Sequence, residues 1–171
     1  VKVGDGSKVI LFWSQMHGNE ATSTMALFDL FNFFQAKNDE FDVLRNKILS
    51  KLSLHFIPML NPDGAQRFQR RTAQSIDMNR DALVLACPES AILKENVGIL
   101  KPEFSFNLHD QHVRYSVGST PKQATISFLA TAFNEAREWN PVRTKAAQVI
   151  KIMYDNLQKF KEELIELFSK N

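Results

Sequence analysis

Short apolar runs set apart by polar turns give the chain its pattern. Lys8–Ser14 (KVILFWS) follows a glycine turn and reads as a strand buried on both faces. Leu52–Leu60 (LSLHFIPML) is a second such run, closed by the turn signal Asn61-Pro62-Asp63-Gly64. Phe104–Leu108 (FSFNL) predicts a third strand and Ala124–Ala130 (ATISFLA) a fourth, and Val1–Gly6 reads as a strand end running into a tight turn. Between them lie helical patterns. Glu20–Gln35 is strongly apolar through Met25, Ala26, Phe28, Leu30, Phe33 and Phe34, as expected of a helix packed on a sheet. Leu44–Leu52 and Ser90–Lys101 are further helix candidates, and Ala65–Arg80 is polar and loop-rich. Val142–Phe168, after Asn140-Pro141, predicts one long helix or two. Strands alternating with helices predict an α/β fold: a three-layer α/β/α sandwich on a mixed, largely parallel sheet.

Composition narrows the function classes. With 171 residues and 44% hydrophobic residues the chain can bury a core, which excludes intrinsic disorder. The formal net charge of +2 argues against a nucleic-acid or anionic-membrane binder. The single cysteine, Cys87, excludes an internal disulfide and any multi-cysteine metal site. No apolar run is long enough to span a bilayer. The lone cysteine and the lack of a visible signal segment lean weakly to the cytoplasm.

In open α/β sheets, sites form beyond the carboxyl ends of strands. Three such ends carry unusual polar residues: Gln15-Met16-His17-Gly18-Asn19-Glu20, Asn61-Pro62-Asp63-Gly64 and His109-Asp110-Gln111. His17 and Glu20 form an HxxE pair across a loop–helix junction. Taken alone, such a pair more often marks a histidine and a helix-start glutamate favoured by the helix dipole. With His109 ending a neighbouring strand, the three match the two-His, one-carboxylate set of a catalytic zinc ion with one open position. Asp77, in Asp77-Met78-Asn79-Arg80, is suited to accept the second ring N–H of His17. Asn79 and Arg80 are suited to holding a carboxylate, and Arg67, Arg70 and Arg71 form a basic stretch that, taken alone, more often marks a solvated loop.

HGNE at 17–20, NPDG at 61–64, RFQRRT at 67–72, DMNR at 77–80 and FNLHD at 106–110 stand in the order and spacing that resemble the zinc metallocarboxypeptidases of the carboxypeptidase A/B-like superfamily. The likeness runs from about Val9 to His112, and FNLHDQ with the later ATISFLA block looks most similar to bacterial members. The resemblance implies the carboxypeptidase fold and one zinc ion held by His17, Glu20 and His109. It implies Asp77 as the partner of His17 and Arg70 as the residue that polarises the scissile carbonyl. Asn79 and Arg80 would grip the terminal carboxylate, with Arg67 in support. The implied partner is a peptide or peptide-like substrate with a free C-terminal carboxylate, with neither nucleic acid nor membrane involved.

The chain departs from the family pattern after His109. The family's general base is a glutamate on a late strand, and a tyrosine that caps the substrate precedes that strand. Glu135, Glu138, Glu162, Glu163 and Glu166 all stand in polar, helix-like contexts, Tyr154 falls in the helical pattern and Tyr115 is too near His109. No residue is therefore assigned to either role, and the chain is expected to be a single, partial catalytic domain over 1–171. A truncated active enzyme and a shortened, catalytically impaired zinc- or carboxylate-binding homologue both fit. So does a zinc amidohydrolase of the aspartoacylase and succinylglutamate desuccinylase type, although NPDG favours the peptidases. His55 is expected to be a satisfied sheet histidine, His112 a surface or rim residue, and Cys87 an inert thiol.

Overall fold

The computed structural model describes residues 1–111, 116, 119–121 and 126–169, with side chains through 161. His112, Tyr115 and the first two residues of the ATISFLA run lie outside the described residues. The chain divides into two compact units, Val1–Asp110 and Gln111–Asn171.

In the first unit the apolar runs become strands of one sheet. The strands are β1 (Lys2–Val3), β2 (Lys8–Ser14), β3 (Leu52–Ile57) and β4 (Phe104–Leu108). Among the described residues they make a four-stranded sheet in the order β1-β3-β2-β4. β2 pairs parallel with both β3 and β4, and β1 pairs antiparallel with β3. The sheet is thus mixed and mostly parallel, with β2 and β3 at its centre, as near-continuous apolar runs require. The second run ends its strand at Ile57, earlier than its hydrophobicity suggests, because Pro58 cannot donate to the ladder.

Helices cover both faces. α1 (Thr22–Gln35) and α2 (Asp42–Lys51) pack Leu27, Leu30, Phe31, Phe34 and Ile48 against Ile10, Phe12, Leu54 and Phe56. Met25 and Phe28 point outward, so only part of the apolar pattern of α1 faces the sheet. On this face three phenylalanines stack across the strands. Phe12 lies 5.1 Å from Phe56 and 4.9 Å from Phe106, and the Phe31 edge meets Phe56 at 5.1 Å. The stack follows from register, since Phe12 is the direct cross-strand partner of both. Phe56 is 2% exposed. Phe56→Ala is therefore expected to cost about 3–5 kcal/mol of unfolding free energy, measured by denaturant titration.

The opposite face holds a second core of Met16, Leu60, Met78 and Cys87, joined by Trp13, Ile57, Ile76 and Leu93. Leu93 belongs to α4 (Pro88–Leu100), which opens with proline in its first turn. The segment expected to be loop-rich is so, apart from a single turn of helix, α3 (Pro62–Gln66), and a 3₁₀ turn at Met78–Arg80.

In the second unit the long apolar–polar pattern forms one helix, α5 (Pro141–Ser169). Asn140 starts it by accepting the Arg143 N–H at 2.7 Å. Residues 126–130 form no strand, contrary to expectation. Ile126 and Phe128 instead line an apolar hollow of about 520 Å3 with Ile152, Met153 and Leu157 of α5. The Ala130 carbonyl is taken by Arg143 Nε at 3.2 Å. Glu135 and Glu138 lie in an irregular turn, where Asn134 accepts the Glu138 N–H, and not in a helix. No helix among the described residues is long and apolar enough to cross a membrane.

Candidate metal centre

Parallel pairing brings the carboxyl ends of β2, β3 and β4 to one edge of the sheet, and each end continues into one of the polar segments. Beyond Ser14 the chain turns sharply at Gln15, which has φ of 52°. This conformation is strained for a non-glycine residue, and a buried polar chain holds it. Gln15 Nε2 donates to the Gly18 carbonyl at 2.8 Å, and Gln15 Oε1 accepts from Thr24 Oγ1 at 2.9 Å. Thr24 Oγ1 also meets Ser14 Oγ at 2.8 Å. The loop that carries His17 is thereby tied to the first turns of α1.

The NPDG segment proves to be more than a turn. Asn61, fully buried, caps α3 by accepting the Gly64 N–H at 2.9 Å, and its Nδ2 reaches the Met16 carbonyl at 3.3 Å and the Arg70 carbonyl at 3.4 Å. Its own N–H donates to the Gln15 carbonyl at 3.1 Å. One asparagine thus joins the β2 loop, the β3 loop and the arginine segment. Gly18 lies directly on Gly64, with no room for a side chain between the backbones.

This scaffold gathers His17, Glu20 and His109. Glu20 Oε1 stands 2.8 Å from His17 Nδ1, and Glu20 Oε2 stands 2.6 Å from His109 Nδ1. One nitrogen or oxygen atom from each of the three lies within 4.8 Å of the others. His17 Nε2 faces Asp77 Oδ1 at 3.2 Å. When Asp77 accepts the Nε2 proton, Nδ1 of the neutral ring presents a lone pair toward an ionised carboxylate. Arg70 Nη1, 3.1 Å from that nitrogen, can donate to the lone pair and offset the charge. Two imidazole nitrogens and a carboxylate are the donor set of a zinc site with one position left open, so the residues present fit that ion.

Arg70 and Asp77 complete the cluster. Arg70 Nε and Nη2 both reach Asp77 Oδ2 at 3.1 Å, while Nη1 lies 3.1 Å from His17 Nδ1 and 3.6 Å from Glu20 Oε1. Burial pushes the Asp77 carboxyl up, but Arg70, the Asn79 N–H and His17 outweigh it and hold the group below the usual range. Burial likewise raises Glu20, yet hydrogen bonds and charge from His109 and His17 prevail and lower it to about 2. Asn79 and Arg80 follow Asp77 in the 3₁₀ turn and are exposed. Arg80, Arg71 and Asp77 line an open cavity of about 530 Å3. Arg67 is exposed on the neighbouring loop.

Other expectations resolve simply. His55 sits in β3, with its Nε2 3.0 Å from Ser53 Oγ. Cys87 is buried against Asp81 and Ser90, and burial raises its thiol. Sequence reasoning missed the strap at Asn61 and the contacts of Asp110, because both act over long sequence separations. Asp110 accepts from Thr22 and Ser23, at the start of α1.

The chain is similar to known proteins in sequence and in fold. "Probable carboxypeptidase 2" of Trichophyton verrucosum is 29% identical over 138 residues, covering 78% of this chain and 25% of that protein. The chain thus spans about a quarter of the length of the curated relatives it matches. A metallo-carboxypeptidase from Burkholderia cenocepacia aligns with a TM-score of 0.58 at 19% identity, over 64% of this chain and 31% of that one. One from Pseudomonas aeruginosa aligns at 0.57 and 22%, over 64% and 30%. At such identities these structures speak for the fold, a partial match to the carboxypeptidase architecture. The zinc carboxypeptidase family pattern matches residues 2–87, half of the chain, and includes His17, Glu20 and the DMNR turn. By that match the chain belongs to the zinc carboxypeptidase family.

Proposed function

We propose that the chain carries the metal centre of a zinc-dependent carboxypeptidase, resembling bacterial members in its FNLHDQ segment. The observation that carries this reading is the convergence of His17, Glu20 and His109 from two separate strand ends onto one point. These three residues would hold one zinc ion. Bound there, zinc supplies Lewis acidity and a water molecule that ionises near neutral pH. Asp77 fixes the His17 ring by accepting its Nε2–H. Arg70, with Nη1 3.1 Å from His17 Nδ1, would hydrogen-bond a scissile carbonyl and the negative charge that develops on it. Asn79 and Arg80, with Arg67 in support, would supply donors and positive charge for the terminal carboxylate of a peptide. No residue of the chain is assigned as general base, a role worth about 10²–10⁴-fold in rate.

The test joins metal analysis to hydrolysis. The purified chain is expected to hold one zinc ion, and His17→Ala to hold none. Unchanged zinc in that variant rejects the site. Release of C-terminal residues from blocked peptides supports the peptidase reading. Cleavage of N-acyl amino acids but not of peptides would assign the chain to zinc amidohydrolase chemistry instead. Bound zinc without either reaction would make it a zinc- and carboxylate-binding homologue.

A further inference from the structure

This inference rests on the zinc reading of His17, Glu20 and His109. Helix α1 begins without a cap of its own, since Ala21 at its N-cap offers no side-chain hydrogen bond. The N–H groups of a first helical turn need acceptors from elsewhere. Asp110 provides them across a separation of 88 residues. Its Oδ2 accepts the Thr22 N–H at 3.2 Å and the Thr22 hydroxyl at 2.9 Å, and its Oδ1 accepts the Ser23 N–H at 3.4 Å. Its own N–H donates to Glu20 Oε2 at 3.4 Å, and Ser23 Oγ donates to the Leu108 carbonyl at 3.4 Å.

The residues joined in this way flank two of the three metal ligands. Glu20 lies just before α1, and His109 lies between β4 and Asp110. The two ligands come from different elements, and their separation depends on how the start of α1 is held against the end of β4. A carboxylate at a helix N-terminus is held both by its hydrogen bonds and by the helix dipole, so this link is directional. We propose that Asp110 is a positioning residue for the metal centre. By capping α1 it fixes the approach of His109 Nδ1 to Glu20 Oε2, so that the donors meet the cation already in place. Preorganisation of this kind raises affinity by sparing the ordering of loose ligands on binding.

The experiment measures zinc affinity by chelator competition in the full chain, Asp110→Ala, Asp110→Asn and Thr22→Val, with the visible spectrum of bound Co2+ alongside. Asp110→Ala leaves the backbone N–H bond to Glu20 in place and removes the cap alone, so it is expected to weaken zinc about tenfold, the lower end of what loss of a ligand's direct partner costs, and to shift the Co2+ bands. Asp110→Asn keeps one oxygen acceptor where the carboxylate uses both, and is expected to lose less affinity than Asp110→Ala. Thr22→Val removes one donor to Asp110 and is expected to show a smaller loss. A folded Asp110→Ala variant with lower thermal stability but unchanged zinc affinity and Co2+ spectrum would show a cap with no role at the metal, and would overturn the proposal. If circular dichroism shows that Asp110→Ala does not fold, unchanged affinity in Thr22→Val overturns it equally. Failure of the underlying zinc reading looks different: the unsubstituted chain then takes up no stoichiometric zinc, and the proposal falls with it.

Discussion

Gly18→Ala is expected to destabilise the chain by about 3 kcal/mol, the upper end of what an overpacked site costs. A Cβ added at Gly18 would stand 1.9 Å from the Gly64 carbonyl carbon and 2.3 Å from the Ala65 nitrogen. These are backbone atoms, and no rotamer change moves them aside. The β2 and β3 loops would have to part, stretching the Asn61 bond to the Met16 carbonyl that joins them. His17 and Arg70 ride on those two loops, so zinc affinity should fall with stability. Gly98→Ala is the matched control. It lies inside α4, and among the described residues nothing stands within 4 Å of the added carbon. Higher helix propensity should there stabilise the chain by up to about 1 kcal/mol. Denaturant unfolding of both variants reads the difference; equal effects would contradict the close approach of the two loops.

Glu20→Gln is the second large effect, and here the loss falls on the metal. Glu20 faces both histidines and carries the only formal negative charge among the three proposed ligands. Removing it should weaken zinc by more than the about 10–100-fold that an outer-sphere partner contributes. Titration calorimetry or chelator competition checks this. The same carboxyl links stability to pH. Its folded value, near 2, lies below the ordinary 4.5. Its contribution in the metal-free chain is therefore fully present above about pH 4.5 and is lost as pH falls toward 2. Glu20→Gln should flatten that part of the stability profile.

Much of the fold was legible because it rests on local pattern. KVILFWS and FSFNL became parallel strands with the expected bounds, and Asn140-Pro141 did start the long helix. The ATISFLA run shows where pattern fails. An apolar stretch becomes a strand only where a ladder partner is available, and residues 126–130 meet the apolar side of α5 instead. The candidate site was legible as three strand ends because parallel pairing puts such ends together. The devices that hold those ends were not. Asn61 reads as part of a turn and Asp110 as a polar residue after a strand, and their partners lie 45 and 88 residues away. Short motifs carry no record of such distant hydrogen bonds. His109 lies beyond the segment that matches the family, so its place at the site rests on the geometry of β4.

The central claim is that His17, Glu20 and His109 bind zinc together, and X-ray absorption at the zinc edge of the loaded chain tests it most directly. The geometry predicts two imidazole nitrogens at about 2.0–2.1 Å, with the remaining shell oxygen at about 2.0–2.2 Å. In His109→Ala one imidazole should be missing. A shell containing thiolate sulfur at about 2.3 Å, from the single cysteine Cys87, would contradict the account, as would an all-oxygen shell unchanged by His109→Ala.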